Sequence, residues 1–282
     1  MKLFTKQATI IASALFLCYC STTPKITSQF SETPPPSSVD LISQMENTER
    51  HNLGQIALFV THDENHLYVM VDFISARLYQ NAQDFGFTVY VDDKEGFSRS
   101  FGITYPTGLF YELGDYPGAR KGYLEEPNWE NMPGNESIME TARNNIAERG
   151  LLIQRRSRRD DMRPVPVPLT QLQAQNLQLQ MEENEERGRV AFAIPLQVTS
   201  RTQFSPDVEL GEQIELGFEI DPVRLLDMES SMQAPLINSQ SASGRSQDTS
   251  DDERSNQVEL LNRQLGDTFS EWIQLTLSSP EI

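Results

Sequence analysis

The sequence predicts a mainly β protein: an antiparallel β-sandwich, jelly-roll or immunoglobulin-like, with one short helix and long loops. Apolar and polar residues alternate in short segments from residue 53 onward, and turn-forming residues separate those segments. Four such segments fall within about fifty residues, a spacing that suits a sandwich and not a βαβ protein. A chain of 282 residues, 38% of them hydrophobic, can bury the core of one sizeable domain.

The elements follow in order. Ile56, Leu58 and Val60 alternate with Ala57, Phe59 and Thr61, and Leu67, Val69, Val71 and Phe73 alternate with Tyr68, Met70 and Asp72. The acidic turn Asp63-Glu64-Asn65 between them predicts a hairpin. Phe85, Phe87, Val89 and Val91 predict a third strand, and Phe101, Ile103 and Tyr105 a fourth. The Pro- and Gly-rich stretch 106–133 reads as surface loops, with a short strand at 109–113. Residues 135–149 form the helix candidate, with Asn135 as its cap, Ile138, Ala142 and Ile146 on one face, and Gly150 closing it. Leu151 to Gln154 reads as a strand, whereas Pro164, Pro166 and Pro168 remove alternate amide donors and bar their stretch from a central sheet position. A second hairpin is expected from Leu177, Leu179 and Met181 with Val190, Phe192 and Ile194. Ile214, Leu216, Phe218 and Ile220 make a half-buried strand whose other face, with Glu215 and Glu219, is expected to be wet. Ser-, Gln- and acid-rich residues 227–258 read as a disordered insertion, because alternation returns at Phe269, Ile273, Leu275 and Leu277 and that last strand is expected to pair back.

Charge and composition exclude several functions. Against 23 Lys and Arg stand 41 Asp and Glu, a net charge of −18, which disfavours nucleic-acid partners. The two cysteines, Cys18 and Cys20, lie at the N-terminus, so neither a disulfide framework nor a cysteine-based zinc site supports the fold. No Gly-x-Ser-x-Gly elbow, phosphate loop, dinucleotide fingerprint or His-Glu-x-x-His occurs. Glu215 and Glu219 lie ~13 Å apart along a strand, beyond glycosidase spacing. An enzyme reading, such as a hydrolase, therefore lacks a named nucleophile or base.

The N-terminus reads as an address. Two lysines in the first six residues precede a short apolar run, too short to span a bilayer, so residues 1–19 are read as a signal peptide. Its end, Leu17-Cys18-Tyr19-Cys20-Ser21, resembles a bacterial lipoprotein signal, with Leu17 three positions before a lipidated Cys20. Tyr19 stands where that family prefers Gly, Ala or Ser. Residues 20–40, rich in Ser, Thr and Pro, then read as a lipidated tether, and 41–282 as one sandwich domain. The resemblance implies export and membrane anchoring through lipid, at the outer membrane of a Gram-negative host. Ordinary cleavage after Cys20 and release to the periplasm is the alternative.

Asp63 to Val69, the strand ending at Asp72, the stretch Phe87-Thr88-Val89-Tyr90-Val91-Asp92 and Ala193-Ile194-Pro195-Leu196 resemble family 9 carbohydrate-binding modules and the related DOMON sandwiches. The likeness covers roughly residues 55–92 and 189–221. It implies a sandwich and a glycan ligand stacked on exposed aromatics, for which Tyr68, Tyr90, Trp129 and Trp272 are the candidates. The same rings also suit the second face of a sheet. No cofactor is expected from the residues themselves; the resemblance implies structural calcium, with Asp92, Asp93 and Glu95 as oxygen ligands, residues that a solvated turn needs equally, and in some DOMON relatives haem, for which Met70 and His66 lie ~13 Å apart along a strand, too far to share one iron. Separately, Arg149, Arg155, Arg156, Arg158, Arg159 and Arg163 form a basic cluster in an acidic protein. It fits an anion or partner-protein patch, an internal attraction to acidic segments, or a solvated loop. Two functions stay open: a non-catalytic binding module for carbohydrate, and a structural or assembly subunit of an envelope complex that docks through Arg155, Arg156, Arg158 and Arg159.

Overall fold

Pairing between distant strands organises the chain. The computed structural model describes residues 23–31, 40–92, 99–154, 164–183, 188–221 and 268–279. The strands are β1 (Lys25–Phe30), β2 (Arg50–Leu53), β3 (Ile56–His62), β4 (His66–Phe73), β5 (Thr88–Asp92), β6 (Phe101–Thr104), β7 (Arg149–Gln154), β8 (Pro164–Pro168), β9 (Gln178–Glu183), β10 (Gly188–Pro195), β11 (Gln213–Ile220) and β12 (Phe269–Leu277). Their order is β8-β7-β6-β5-β11-β12-β1-β3-β4-β10-β9, with β2 on β3. Two antiparallel halves, β8 to β12 and β3 to β9 in that path, meet at β1 and pack face to face. Phe73 of β4 lies 5.1 Å, centroid to centroid, from Phe87, and Phe87 lies 6.4 Å from Phe218 of β11. One continuous core runs between the halves, holding Leu58, Val71 and Phe192 from one side with Val89, Ile103, Leu216 and Ile273 from the other. The fold is thus mainly β and sandwich-like. Both hairpins, the antiparallel return of β12 to β11 and the edge position of the proline strand β8 agree with the alternation.

Strand β1 departs from the expectation of a tether over residues 20–40. Lys25 to Ser28 pair in parallel with β12 and Gln29 and Phe30 with β3, so this stretch closes the seam between the halves. Its Ser and Thr content hid a strand that buries only Ile26 and Ser28. Ser28 is tolerated inside because its hydroxyl lies 2.7 Å from His62 Nδ1, while His62 Nε2 donates to the Ser278 carbonyl at 2.8 Å. Both side chains are sealed from solvent, which makes the pair a tie between β1, β3 and the chain after β12 rather than an accessible nucleophile and base.

The helical content also exceeds one short helix. Helices α1 (Leu41–Met45), α2 (Ala76–Phe85), α3 (Leu109–Glu112), α4 (Ala119–Glu125), α5 (Asn135–Glu148) and α6 (Leu169–Gln173) lie among the described residues. Ser75 caps α2 by accepting the Leu78 N–H, and Leu78, Tyr79, Ala82 and Phe85 turn one face to the core. The stretch expected as a strand at 109–113 is helix α3. Gly108 starts it at φ 91°, so close to the Gly86 backbone that a Cβ would fall 2.3 Å from Gly86 N. Helix α5 begins after Gly134, not through an Asn135 cap, and Asn135 instead donates to the Trp129 carbonyl. Gly150 belongs to β7. Helix α1 lays Leu41, Ile42 and Met45 over Phe59, Tyr68 and Met70 on the outer face of β3 and β4. No described helix is long and apolar enough to cross a membrane. The stretch expected to be a signal peptide, 1–19, Cys20 and the stretch expected to be an insertion, 227–258, lie outside the described residues.

Candidate functional site

The outer face of the β5-β6-β11-β12 half is unlike the outside of an ordinary sandwich, because its residues are aromatic and charged yet largely buried. Register places Ile153, Gly102, Tyr90, Gly217 and Trp272 side by side across five strands. The two glycines make room for the two rings. A Cβ on Gly102 would fall 2.7 Å from the Tyr90 ring, and one on Gly217 would fall 2.5 Å from Cη2 and Cζ2 of Trp272. Each ring therefore lies down over its glycine neighbour. Their centroids are 6.0 Å apart and their planes differ by 13°, so together they form one flat aromatic floor.

Arg99 lies over that floor. Its Cζ is 5.8 Å from the Tyr90 centroid and 5.2 Å from that of Trp272, within cation–π range of both. Glu219, one register step away on β11, fixes the guanidinium: Arg99 Nη2 donates to Oε1 at 2.5 Å, and Nε donates to Oε1 at 3.2 Å and Oε2 at 3.3 Å. The same Oε1 accepts from Ser270 Oγ at 3.2 Å and Trp272 Nε1 at 3.3 Å. Burial opposes charge on Arg99, but the hydrogen bonds and charge of Glu219 outweigh it and raise the guanidinium pKa. The pair is asymmetric: the Glu219 side chain is 3% exposed and that of Arg99 is 22% exposed. Solvent therefore meets a cation held by a buried anion.

On the other side of the floor lie Asp92, Glu215 and Gln274 in adjacent register, with Ser100 donating to Asp92 at 3.3 Å. The wet face expected for β11 is therefore corrected: Glu215 and Glu219 are buried at 8% and 2% exposure. Strict alternation reports which side a residue faces but not whether that side is covered. Gln274 Oε1 is buried with no hydrogen-bond partner.

The four aromatic candidates separate. Tyr90 and Trp272 come together, whereas Tyr68 is on the outer face of the other half and Trp129 in the helical region. Tyr68 is buried under α1 and donates to Asp63 Oδ2 at 2.6 Å. Trp129 packs against Gly122, Leu113 and Met139. Tyr68, Tyr90 and Trp129 are buried, which corrects their reading as exposed stacking faces: a ring enclosed by protein has no free face for a sugar. Trp272 is half-buried. Of the calcium candidates, Asp92 is buried, and Asp93 and Glu95 lie outside the described residues. Among the described residues, no group of three or more His, Cys, Asp and Glu is placed to hold a metal. Arg155, Arg156, Arg158, Arg159 and Arg163 are also outside them. Arg149 is engaged internally, paired with the fully buried Glu112 and with Asp115. Arg99 was not singled out by sequence reasoning, and Glu219 was weighed there only as a wet-face carboxylate paired with Glu215. The available signal was a glycine on each of two strands at the positions facing Tyr90 and Trp272.

A separate surface cleft of about 430 Å³ near α5 is lined by Glu130, Glu136, Glu140 and Arg143. Its Arg143–Glu130 pair is widely exposed and so contributes little.

No protein-family model matches this chain, and no curated protein matches it. Among solved structures, the chain is similar to a family 9 carbohydrate-binding module from Caldicellulosiruptor kristjanssonii in complex with glucose, at 11% identity and a TM-score of 0.30, covering 70% of this chain and 78% of that one. A second structure of such a module from the same organism, in complex with cellotriose, is similar at 11% identity and a TM-score of 0.29, covering 70% and 76%. Similarity this distant carries no argument about what the present chain binds.

Proposed function

We propose that this chain is an exported, lipid-anchored, non-catalytic binding module for glycans, with its site at the half-buried Trp272 beside the Arg99–Glu219 pair, the buried Tyr90 ring supporting the indole from within. The observation that carries the reading is the row Gly102, Tyr90, Gly217 and Trp272 under the Arg99–Glu219 pair. A pyranose has an apolar C–H face and a rim of hydroxyls, and a half-buried indole bordered by charged hydrogen-bonding groups complements both. Trp272, the half-buried ring of the two, supplies the stacking edge, and Glu219, Ser270 and Arg99 supply acceptors and donors. Glu219 is engaged by Arg99, Ser270 and Trp272, an arrangement that suits an acceptor of hydrogen bonds better than a proton donor in catalysis. Export and anchoring are supported by the Leu17 to Ser21 signal.

A glycan array probed with the folded protein and with Trp272→Ala tests the site. Binding by the parent that the variant loses is expected; equal binding by both would refute it. Metabolic labelling with a fatty acid tests the anchor, where label on the parent and none on Cys20→Ser is expected. Label retained on Cys20→Ser would contradict attachment at that residue.

A further inference from the structure

The chain is part of the fold almost as soon as it leaves Cys20. Strand β1 begins at Lys25, and just before it the Pro24 carbonyl accepts from the Gln274 N–H at 2.8 Å. An extended chain advances at most about 3.6 Å per residue, so Cys20 lies within ~18 Å of Lys25. Register shows what a leash of that length reaches. β1 runs parallel to β12 with Lys25 beside Gln274, so Lys25 shares the outer face of Trp272, one strand over and two residues further along. At about 3.3 Å per residue and 4.8 Å between strands, their Cα atoms are ~8 Å apart. Cys20 and Trp272 are therefore separated by no more than ~26 Å. Because the two strands are parallel, the chain comes to Lys25 from the end of the sandwich at which β12 begins. An apolar side chain is exposed at that end. β3 also runs parallel to β1, and Phe73 at the close of β4 pairs with Ile56 at the start of β3, so Ile74 follows there, 44% exposed.

We infer that the end of the sandwich where β1, β3 and β12 begin faces the membrane that holds the Cys20 lipid, and that the Trp272 site takes saccharide head groups of lipids in that leaflet in preference to free polysaccharide. This rests on the lipid-anchored, glycan-binding reading above and adds to it an orientation and a ligand class. A lipidated cysteine sits at the level of the head groups, because its acyl chains are buried in the bilayer. The short leash keeps Trp272 close to the layer those head groups occupy. Tethering there supplies a high effective concentration, so that a weak intrinsic affinity suffices. A long polymer must instead enter between the domain and the bilayer.

The test couples the chain from residue 20 onward, in which Cys20 is the sole cysteine, through that thiol to a maleimide lipid in phosphatidylcholine vesicles. Trp129→Phe leaves Trp272 as its one tryptophan; if that variant fails to fold, the difference between the parent and Trp272→Phe supplies the same signal. Energy transfer from Trp272 to dansyl-labelled head groups is expected. An insert of about twenty Gly and Ser residues after Cys20, with a root-mean-square span of ~25 Å, should lower it at least about twofold. Cellobiosyl, xylobiosyl, mannobiosyl and maltosyl diacylglycerols are then included in the vesicles, and at least one should shift the Trp272 emission of the coupled chain. Soluble β-glucan, xylan, mannan and dextran should bind the coupled chain at least about tenfold more weakly than the uncoupled one, and the insert should restore that binding. Transfer that is absent, or that the insert leaves unchanged, would overturn the orientation. Equal polysaccharide binding by coupled and uncoupled chains, with no response to any of the four glycolipids, would overturn the ligand class and leave the glycan reading standing. Binding of neither polysaccharide nor glycolipid in any form would overturn the glycan reading and the ligand class together, with the energy transfer still deciding the orientation.

Discussion

The indole of Trp272 on β12 rests on Gly217 of β11, so closely that the hydrogen of glycine is the only side chain compatible with the ring's position. Gly217→Ala would normally favour a strand, since alanine loses less conformational freedom on folding. Here its methyl must displace the indole. We expect a loss of ~1–3 kcal/mol in urea unfolding together with a shift in tryptophan emission. Unchanged emission with raised stability would mean that the floor is not built as described.

The Ser28–His62–Ser278 tie predicts sensitivity to acid. Burial is the largest influence on His62 and holds its pKa below the ordinary histidine value, although the Ser278 carbonyl and the neighbouring Asp63 pull it up. The folded protein therefore resists protonation that the unfolded chain accepts. The associated stability is complete above the ordinary histidine pKa and is lost as pH falls below it, by up to ~1.4 kcal/mol per pH unit until the folded pKa is reached. Melting curves between pH 8 and pH 5 should show this slope, and His62→Gln should flatten it. An identical slope in the variant would place the sensitivity elsewhere.

Asp63 acts at lower pH. Burial alone would push its carboxyl up, but hydrogen bonds from His66, the Tyr68 hydroxyl and the Asn65 amide bring its pKa down to about 2. Its contribution is present above the ordinary aspartate value and is lost as pH falls from about 4 towards 2. Asp63→Asn should cost ~1–3 kcal/mol at neutral pH through the β3–β4 turn and weaken the acid dependence below pH 4. Full retention of that dependence would contradict the assignment.

Arg149 joins β7 to α3 through Glu112, which also accepts from Thr107 Oγ1 at 2.5 Å. Arg149→Ala strands a carboxylate inside the protein, and a loss of ~3–5 kcal/mol is expected. Combining it with Glu112→Leu should recover much of the loss, because no charge then remains buried. If Arg149→Ala is neutral, the residue belongs to an accessible basic patch after all.

These positions also show what the sequence could reveal. Alternation disclosed β3, β4, β11 and β12 because each puts every second apolar residue into one core, and the prolines of β8 marked an edge. It could not disclose β1, whose buried Ser28 is satisfied by a histidine 34 positions away. Helices α3 and α4 were obscured by Gly108, Gly118 and Gly122, which read as loop punctuation but serve here to start helices or to accommodate Trp129. Tyr90 and Trp272 stood out as aromatic residues on one side of alternating strands. Their proximity depends on β11 lying between β5 and β12, a long-range pairing that no local pattern encodes. The pairing of Arg99 with Glu219, 120 positions apart, was hidden for the same reason.

The most direct test of the account is a titration of Trp272 itself. Its fluorescence should change saturably as the polysaccharide selected on the array is added to the parent protein, with one site per chain. Trp272→Leu, folded by circular dichroism, should lose at least about tenfold in affinity measured by calorimetry, as expected when a stacking ring is removed. Saturable binding of equal affinity in the parent and the variant, with no change in parental fluorescence, would contradict a glycan site at Trp272.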